Sequence, residues 1–334
     1  MTANIGEMFY TGTMPWHGLG RKLERPITVT EALTAAGLNW RVGEVDLVTQ
    51  EISASPVKKR KAIVRLDRMR GDSRRVLGVS HRGFAPIQNE DGARLFGAIF
   101  GQGTDVYHTG GYLGSGEIVW LLAKINRPFE IGHGDIVEPY ALFSNSHDGS
   151  RAFSISLTTV RVVCRNTLSQ ALRETRFGKQ FRRGHQSSLV EHTEAARHFF
   201  AATLKQLDDL KDAYVGLTKR QCPRDRFDEI LIELLPDPVQ PRNVAQNKGL
   251  MKAFENRLEQ AKSGRKVMQE LRDSGIGMQL PGAKGTYWGA LNAVTEFVDH
   301  HQPSKGGLPF ALLGGGMSFK QRAARLILEA SQAL

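Results

Sequence analysis

The sequence predicts an α+β protein, with a mostly antiparallel sheet and packed helices followed by a helical C-terminal portion. Two observations carry this prediction. Short apolar runs joined by glycine-containing turns fill the first half of the chain, whereas from about Ser187 the apolar residues recur at helical spacing. We therefore divide the 334 residues into a basic α+β domain with β-hairpins (1–186) and a helical portion (187–334).

The strand predictions rest on apolar runs bounded by turn residues. The expected strands are 47–52, a hairpin of 62–67 with 76–80, the single strand 117–125, and a second hairpin of 140–144 with 152–159. Apolar residues on both faces of 117–125 indicate a central strand that is covered on both sides. Asn89 is a typical N-cap for a helix, and a further helix is expected to begin near Asn166.

The second half reads as a series of amphipathic helices. We expect helices over 189–214, 247–262, 286–300 and 319–330. The proline-rich stretch 236–241 is expected to form a rigid turn between two of them.

Composition excludes several classes of protein. Hydrophobic residues make up 40% and charged residues 24% of the chain, as in globular proteins. The two cysteines lie outside any CxxC pair, which fits a reducing cytosol and argues against a cysteine zinc site. The chain has no apolar run of 18 residues, and its first 20 residues lack the pattern of a signal peptide. We therefore expect a cytoplasmic protein that does not interact with membranes.

The net charge of +11 comes from two short segments. Residues 58–75 carry a charge of +7 and residues 161–185 a charge of +6, so the remainder is slightly acidic. Concentrated positive charge attracts polyanions more effectively than a diffuse excess does. The sequence therefore predicts a nucleic-acid partner.

The first basic segment, 58–75, runs along and around the first predicted hairpin. Such a ribbon can lie against a phosphate backbone, where each Lys or Arg displaces a counterion. The alternative is a solvated edge hairpin whose cations protect it from aggregation. Nine basic residues exceed what edge protection needs, so we favour nucleic-acid binding. The candidate contacts are Lys58, Lys59, Arg60, Lys61, Arg68, Arg70, Arg74 and Arg75.

The second basic segment, 161–183, is richer in arginine than in lysine. The planar guanidinium group matches phosphate geometry and stacks on bases. Phe177 and Phe181 interleave the charges and are the candidates for base stacking, although they are equally typical of the core side of a helix. The candidate phosphate contacts are Arg161, Arg165, Arg173, Arg176, Lys179, Arg182 and Arg183.

Three further residues, His108, His147 and Asp148, are of the types used in acid–base chemistry and metal binding. No HxxxH or HExxH spacing accompanies them, and Asp148 with Gly149 is already accounted for as a turn. We therefore predict no metal and no catalytic residue, and keep these side chains as candidates for an enzyme alternative.

The glycine-rich stretches predict no nucleotide site. Neither 16–20 nor 282–286 is a Walker A loop, and GxxxxGK[ST] is absent from the chain, so no ATP or other cofactor is expected. The glycines 314–316 precede a helix with Lys320 and Arg322, a pattern that can cradle phosphate. We favour the simpler interpretation that they let the chain turn into its last helix.

Several motifs resemble those of one known family. They are WHGLG at 16–20, NSHDGS at 145–150, TTVRVVCRNTL at 158–168, WGALNAVTE at 288–296 and KQRA at 320–323. The chain resembles the phage/plasmid-like protein family catalogued as domain of unknown function 932, and TTVRVVCRNTL is the most specific part of the likeness. The resemblance implies a gene carried by phages, prophages or plasmids. It supplies no catalytic residue, because the family has no settled activity.

A basic α+β protein of mobile elements without an ATP site is similar in outline to phage single-strand annealing proteins of the Red-beta and Erf kind. This likeness is one of fold and charge, and no motif accompanies it. We expect ATP-independent binding and annealing of single-stranded DNA, in recombination or replication, by a homo-oligomer; RNA stays open as a ligand. The alternatives are a metal-dependent enzyme acting on nucleic acid, and a regulatory or anti-defence protein that binds a host protein.

Overall fold

The computed structural model describes residues 5–12, 20–25, 27–50, 55–81, 83–100, 107–161, 167–168, 181–183, 190–241, 248–302 and 315–332. Their α+β arrangement confirms the predicted fold class. The strands are β1 (Ile5–Thr11), β2 (Arg21–Leu23), β3 (Val42–Val48), β4 (Pro56–Arg65), β5 (Val76–His81), β6 (Tyr107–Leu113), β7 (Ile118–Lys124), β8 (Phe129–Gly132), β9 (Asp135–Ser146), β10 (Phe153–Arg161), β11 (Thr167–Leu168) and β12 (Phe181–Arg183). The helices are α1 (Val29–Ala35), α2 (Asn89–Phe100), α3 (Val190–Thr218), α4 (Arg224–Leu234), α5 (Lys248–Ser274), α6 (Tyr287–Glu296) and α7 (Gly315–Gln332), and the π-helical turn Phe297–His301 continues α6.

The larger sheet contains nine strands in the order β11-β10-β9-β7-β6-β1-β2, with β12 also paired to β10 and β8 to β9. All of these pairs are antiparallel except β1 with β2. The central strand β7 is buried on both faces, as its sequence predicts. Val119 and Leu121 belong to the main core under the helices, whereas Trp120 and Leu122 form a separate cluster on the other face.

The smaller sheet is antiparallel, with the order β3-β4-β5. The predicted first hairpin is confirmed, although its first strand begins and ends earlier than expected. Strand β3 also begins before the predicted segment 47–52. It begins at Val42 because the Gln88 side chain bonds both the N–H and the C=O of that residue, at 3.0 Å each. These bonds satisfy the peptide group at the outer edge of the strand.

Helices α1, α2, α3 and α6 contact the larger sheet, whereas α4, α5 and α7 pack mainly on other helices. Thr286 caps α6 by accepting the N–H of Gly289, and every residue of this helix is buried. Helix α4, which the sequence did not predict, buries Phe227, Ile230 and Leu234. No helix in the described ranges is both long enough and apolar enough to cross a membrane.

The helix expected to begin near Asn166 is wrong at Thr167–Leu168, because these residues form β11 and pair with Thr159 and Val160. Farther along the chain, Phe181–Arg183 forms β12 on the same side of β10. The exposed edge of β10 offers backbone hydrogen bonds that a local helical pattern does not reveal.

The proposed boundary at residue 186 stays a prediction, and the buried core extends across it. The indole N–H of Trp288 donates to Asp135 Oδ2 at 2.8 Å, and the Trp288 ring lies 5.0 Å from that of Tyr214. Sheet and helices therefore share one hydrophobic interior.

Candidate nucleic-acid interface

Strand β4 carries its first three cations in an irregular stretch. Its pairing with β3 passes from Val48↔Pro56 to Asp46↔Lys61, so β4 advances five residues while β3 advances two. Lys59 lies in the left-handed region, at φ 63°. Such bulges redirect side chains away from the regular strand pattern. This one presents Lys58, Lys59 and Arg60, all exposed, as three consecutive cations.

The remaining cations of the hairpin are partly engaged within it. Lys61 forms an ion pair with Glu44. In the loop, Asp72 lies 3.3 Å from Arg74 and 3.9 Å from Arg68. Arg75 donates to the carbonyl oxygen of Arg68 at 3.3 Å. Within the part of the chain that the structure describes, the predicted contacts that are exposed and form no ion pair are Lys58, Lys59, Arg60 and Arg70.

Arg65, a ninth cation of this segment, has a structural role. Its side chain is 4% exposed, and the guanidinium carbon lies 4.2 Å from the centre of the Trp40 ring. It donates to Asp67 Oδ2 and to the Ser115 carbonyl oxygen, each at 2.7 Å. These hydrogen bonds from Arg65 lower the pKa of Asp67. The positive charge of Arg65 is thus neutralised inside the fold.

The described residues of the second basic segment lie at the end of β10 and in the short strands paired with its outer edge. Arg161 ends β10 opposite Val137 of β9. In β12, Arg182 stands opposite Ser154, Arg183 opposite Phe153, and Phe181 opposite Ile155. The other candidates of this segment lie outside the described residues: Arg165, Arg173, Arg176, Phe177 and Lys179.

The turn between β9 and β10 contacts the smaller sheet. A Cβ atom on Gly78 of β5 would lie 2.5 Å from Asp148 Cα, so the smaller sheet packs closely against this turn. Arg60 is paired with His81, three residues beyond Gly78, and Arg183 is paired with Phe153, five residues beyond Asp148. With about 5 Å between paired strands, these paths are at most about 15 Å for Arg60 and about 22 Å for Arg183. Arg60 has the strand parity of Ala62 and therefore lies on the face of the smaller sheet opposite this turn, so the described residues do not join the two basic segments into one surface.

His147 is a structural residue in this turn. It is fully buried, and its Nε2–H donates to Asn89 Oδ1 at 2.8 Å. The Asn89 amide donates in turn to the carbonyl oxygens of Leu38 and Trp40. Asn89 therefore uses its side chain to hold the α1–β3 connection and the β9–β10 turn together. The NSHDGS motif anchors the smaller sheet to the larger one.

Replacing His147 by Ala is expected to lower the free energy of unfolding by about 2–3 kcal/mol, because it leaves a cavity and a buried amide oxygen without its donor. Urea denaturation measures this loss. The matched control is His133→Ala, at an exposed turn position, which we expect to change stability by less than about 0.5 kcal/mol. Equal effects of the two substitutions would contradict the anchoring role.

His108 and His147 do not form one site. Lys124 of β7 pairs with Tyr140, and the His108 ring lies 5.5 Å from that tyrosine. At the other end of β7, Ile118 pairs with Ser146, next to His147. Six residues of strand correspond to about 20 Å. The three candidates for an enzyme are therefore divided between two ends of the sheet, and the described residues include no cluster of three potential metal ligands.

His108 belongs instead to a polar cluster on the sheet. Its Nδ1 lies 3.1 Å from Thr11 Oγ1. Nearby, Glu138 accepts hydrogen bonds from Lys124 Nζ at 2.6 Å and from the Tyr140 hydroxyl at 2.8 Å. Burial lowers the pKa of His108, and the charge of Lys124 lowers it further.

This lowered pKa predicts a pH dependence of stability. Below the ordinary pKa of 6.5, the unfolded chain takes up a proton at His108 that the folded protein resists, so the free energy of unfolding falls as the pH falls. We expect His108→Gln to reduce the difference in unfolding free energy between about pH 7.5 and about pH 5.5. Urea denaturation at both pH values measures it, with His133→Gln as the control. An unchanged difference in His108→Gln would contradict the prediction.

Lys320 and Arg322 do not form a phosphate cradle. The Lys320 ammonium is fully buried and donates to Asp299 Oδ1 at 2.8 Å. Arg322 donates to the carbonyl oxygen of Leu234. Both cations hold α7 against the rest of the helical portion. Gly315 and Gly316 are the first residues of α7, and Gly314 lies outside the described residues.

Comparison with known proteins gives one result. A family model described as "Domain of unknown function (DUF932)" matches residues 76–326. No curated protein and no solved structure matches the chain. The match begins at β5, so the bulge of β4 lies outside the matched region.

Proposed function

Because the chain belongs to the DUF932 family, whose description names no activity, we propose its function from its own residues. It binds single-stranded DNA without sequence preference and without ATP, and it promotes the annealing of complementary strands during recombination or replication of a phage or plasmid.

The exposed bulge of β4 is the observation that carries this proposal. Lys58, Lys59 and Arg60 are consecutive, exposed and free of ion pairs among the described residues. Adjacent cations of this kind bind consecutive phosphates and release their counterions. Arg182 and Arg183 of β12, at the edge of the larger sheet, are further candidate phosphate contacts.

The size of the hairpin supports an oligomer as the active form. From Arg60 to the loop around Arg70, the strand and loop extend only about 20 Å, enough for a few nucleotides. Stable capture of a strand therefore needs several copies side by side. Binding energy from many such contacts drives annealing, so the reaction requires no nucleotide hydrolysis.

The metal-dependent enzyme has less support, because its three candidate residues are divided between two ends of the sheet. The alternative in which the chain binds a host protein predicts different properties. It requires that the helical half bind a protein and that DNA affinity be weak.

Fluorescence anisotropy with single-stranded DNA, single-stranded RNA and duplex DNA over a range of salt concentrations tests the proposal. We expect single strands to bind more tightly than duplex, with the logarithm of the binding constant falling linearly with the logarithm of salt concentration. Annealing of complementary oligonucleotides should accelerate without ATP, and electron microscopy should show rings or filaments on DNA. Weak binding, or binding that is insensitive to salt, would overturn the proposal.

A further inference from the structure

We infer that the solvent-facing apolar surface of the smaller sheet contacts the bases of a bound single strand. This surface, called here the valine face, consists of the exposed side chains of Val45, Leu66, Val76 and Val79, which surround the buried Ala62 and Val64. The inference rests on the proposed function and assigns the part of the ligand that this surface contacts.

The strand register defines the valine face. Val45, Ala62 and Val79 stand opposite one another across β3, β4 and β5, and Val64 stands opposite Val76. On the other side of the sheet, Ile63 belongs to the main core, whereas Ala62 and Val64 belong to neither described core cluster. The alternation of side chains along a strand therefore places Ala62 and Val64 on the face opposite Ile63, although these two residues are themselves only 5% and 3% exposed.

The outer members of this face are exposed to an unusual degree. Val45 is 44%, Val79 49%, Val76 51% and Leu66 56% exposed. Leu66 lies over Gly43, where a Cβ atom would approach its Cδ2 to 2.8 Å, so this leucine extends the same surface. Contiguous apolar surface of this kind marks a binding site more often than isolated exposed residues do.

The charges around the valine face identify its occupant. Arg60 has the same strand parity as Ala62 and stands at one end of the face, and the arginines of the 68–75 loop stand at the other. A second copy of the chain would bring two such cationic rims together, because segment 58–75 carries +7. The two positively charged rims would repel each other. The occupant must therefore combine negative charge with apolar surface.

A single strand of nucleic acid meets both requirements. Its phosphates are anionic, and its unpaired bases present flat apolar faces. A duplex buries those faces in its base stack and offers mainly phosphates to such a surface. Contact between bases and the valine face would thus produce a preference for single strands that the cations alone cannot produce.

The double substitution Val45→Thr with Val79→Thr tests the inference. Threonine keeps the shape and β-branching of valine, so the strands are preserved while the surface becomes polar. The probes are oligothymidylate, an abasic oligonucleotide of the same length, and duplex DNA. We expect affinity for oligothymidylate to fall roughly tenfold, with no change for the abasic strand or in the salt dependence. Val239→Thr, at a valine that is 92% exposed in the proline-rich segment, is the matched control.

The outcomes separate the inference from the proposed function. If the wild-type protein binds none of the probes, the proposed function fails. If it binds oligothymidylate and the double variant binds equally well, only the inference fails. Equal affinity of the wild type for abasic and thymidylate strands also overturns the inference, and this comparison needs no variant to fold. A double variant that instead loses self-association in light scattering, with DNA affinity intact, would make a second copy the occupant and overturn the inference as well.

Discussion

Removing the three positive charges in the bulge of β4 is expected to lower the affinity for single-stranded DNA about 100-fold at about 0.1 M salt. The variant is Lys58→Gln, Lys59→Gly and Arg60→Gln. Each phosphate contact on a single strand contributes about 0.7 to the slope of log K against log salt. Loss of three contacts should therefore reduce the magnitude of that slope by about 2, which anisotropy titrations at several salt concentrations will measure.

The substitutions are chosen so that stability does not change with affinity. All three side chains are exposed and form no ion pair within the described structure. Lys59 has a positive φ, which glycine adopts at no steric cost. We therefore expect the free energy of unfolding to stay within about 0.5 kcal/mol of the wild-type value.

A second triple variant separates local contacts from net charge. Lys252, Arg257 and Lys262 are exposed on α5, and replacing all three by Gln removes the same charge from the helical portion. We expect this variant to retain nearly all of its affinity, because charges beyond the Debye length are screened. If both variants lose affinity equally, then binding responds to net charge and the assignment to the hairpin is wrong.

Replacing Lys320 by Met is expected to lower the free energy of unfolding by about 3–5 kcal/mol. The Lys320–Asp299 pair is fully buried between α7 and the π-helical turn after α6. Burial lowers the pKa of Lys320, whereas the adjacent carboxylate of Asp299 opposes that change. Removing the ammonium group takes the ion-pair partner from a fully buried carboxylate, and urea denaturation measures the cost.

A second substitution identifies the cause of that loss. Exchanging Lys320 for Met together with Asp299 for Leu removes both charges, and apolar replacement of a complete buried pair is often close to neutral. We expect the double variant to recover most of the stability that the single variant loses. Lys266→Met, at an exposed position on α5, serves as the control. A double variant that is no more stable than the single one would show that packing, rather than loss of the ion pair, determines the effect.

The hairpins and long helices were predictable because their signals are local. Gly149 in the β9–β10 turn and Gly71 in the β4–β5 loop both have positive φ values, as their turn sequences require. Thr286 caps α6 where the helical spacing of Trp288 and Leu291 begins. Neighbouring residues determine turns and caps, so a single sequence contains the necessary information.

The candidate site was predictable only as a set of charges. From the sequence, Lys59 and Arg65 look equally suited to bind phosphate, because both lie in the same basic segment. The structure exposes Lys59 in a bulge and buries Arg65 against Trp40. Burial and pairing depend on residues distant in sequence, such as Ser115, whose carbonyl oxygen accepts from Arg65.

The sequence by itself therefore determined the fold class, the principal hairpins and helices, and the concentration of positive charge in two segments. Only the tertiary structure decided which of the described cations face solvent, that His147 anchors a turn, and that this turn packs against the smaller sheet. The physical reason is the sequence distance over which each interaction acts. Turn chemistry and side-chain periodicity act over a few residues, whereas the close packing of Gly78 against Asp148 joins strands that lie seventy residues apart.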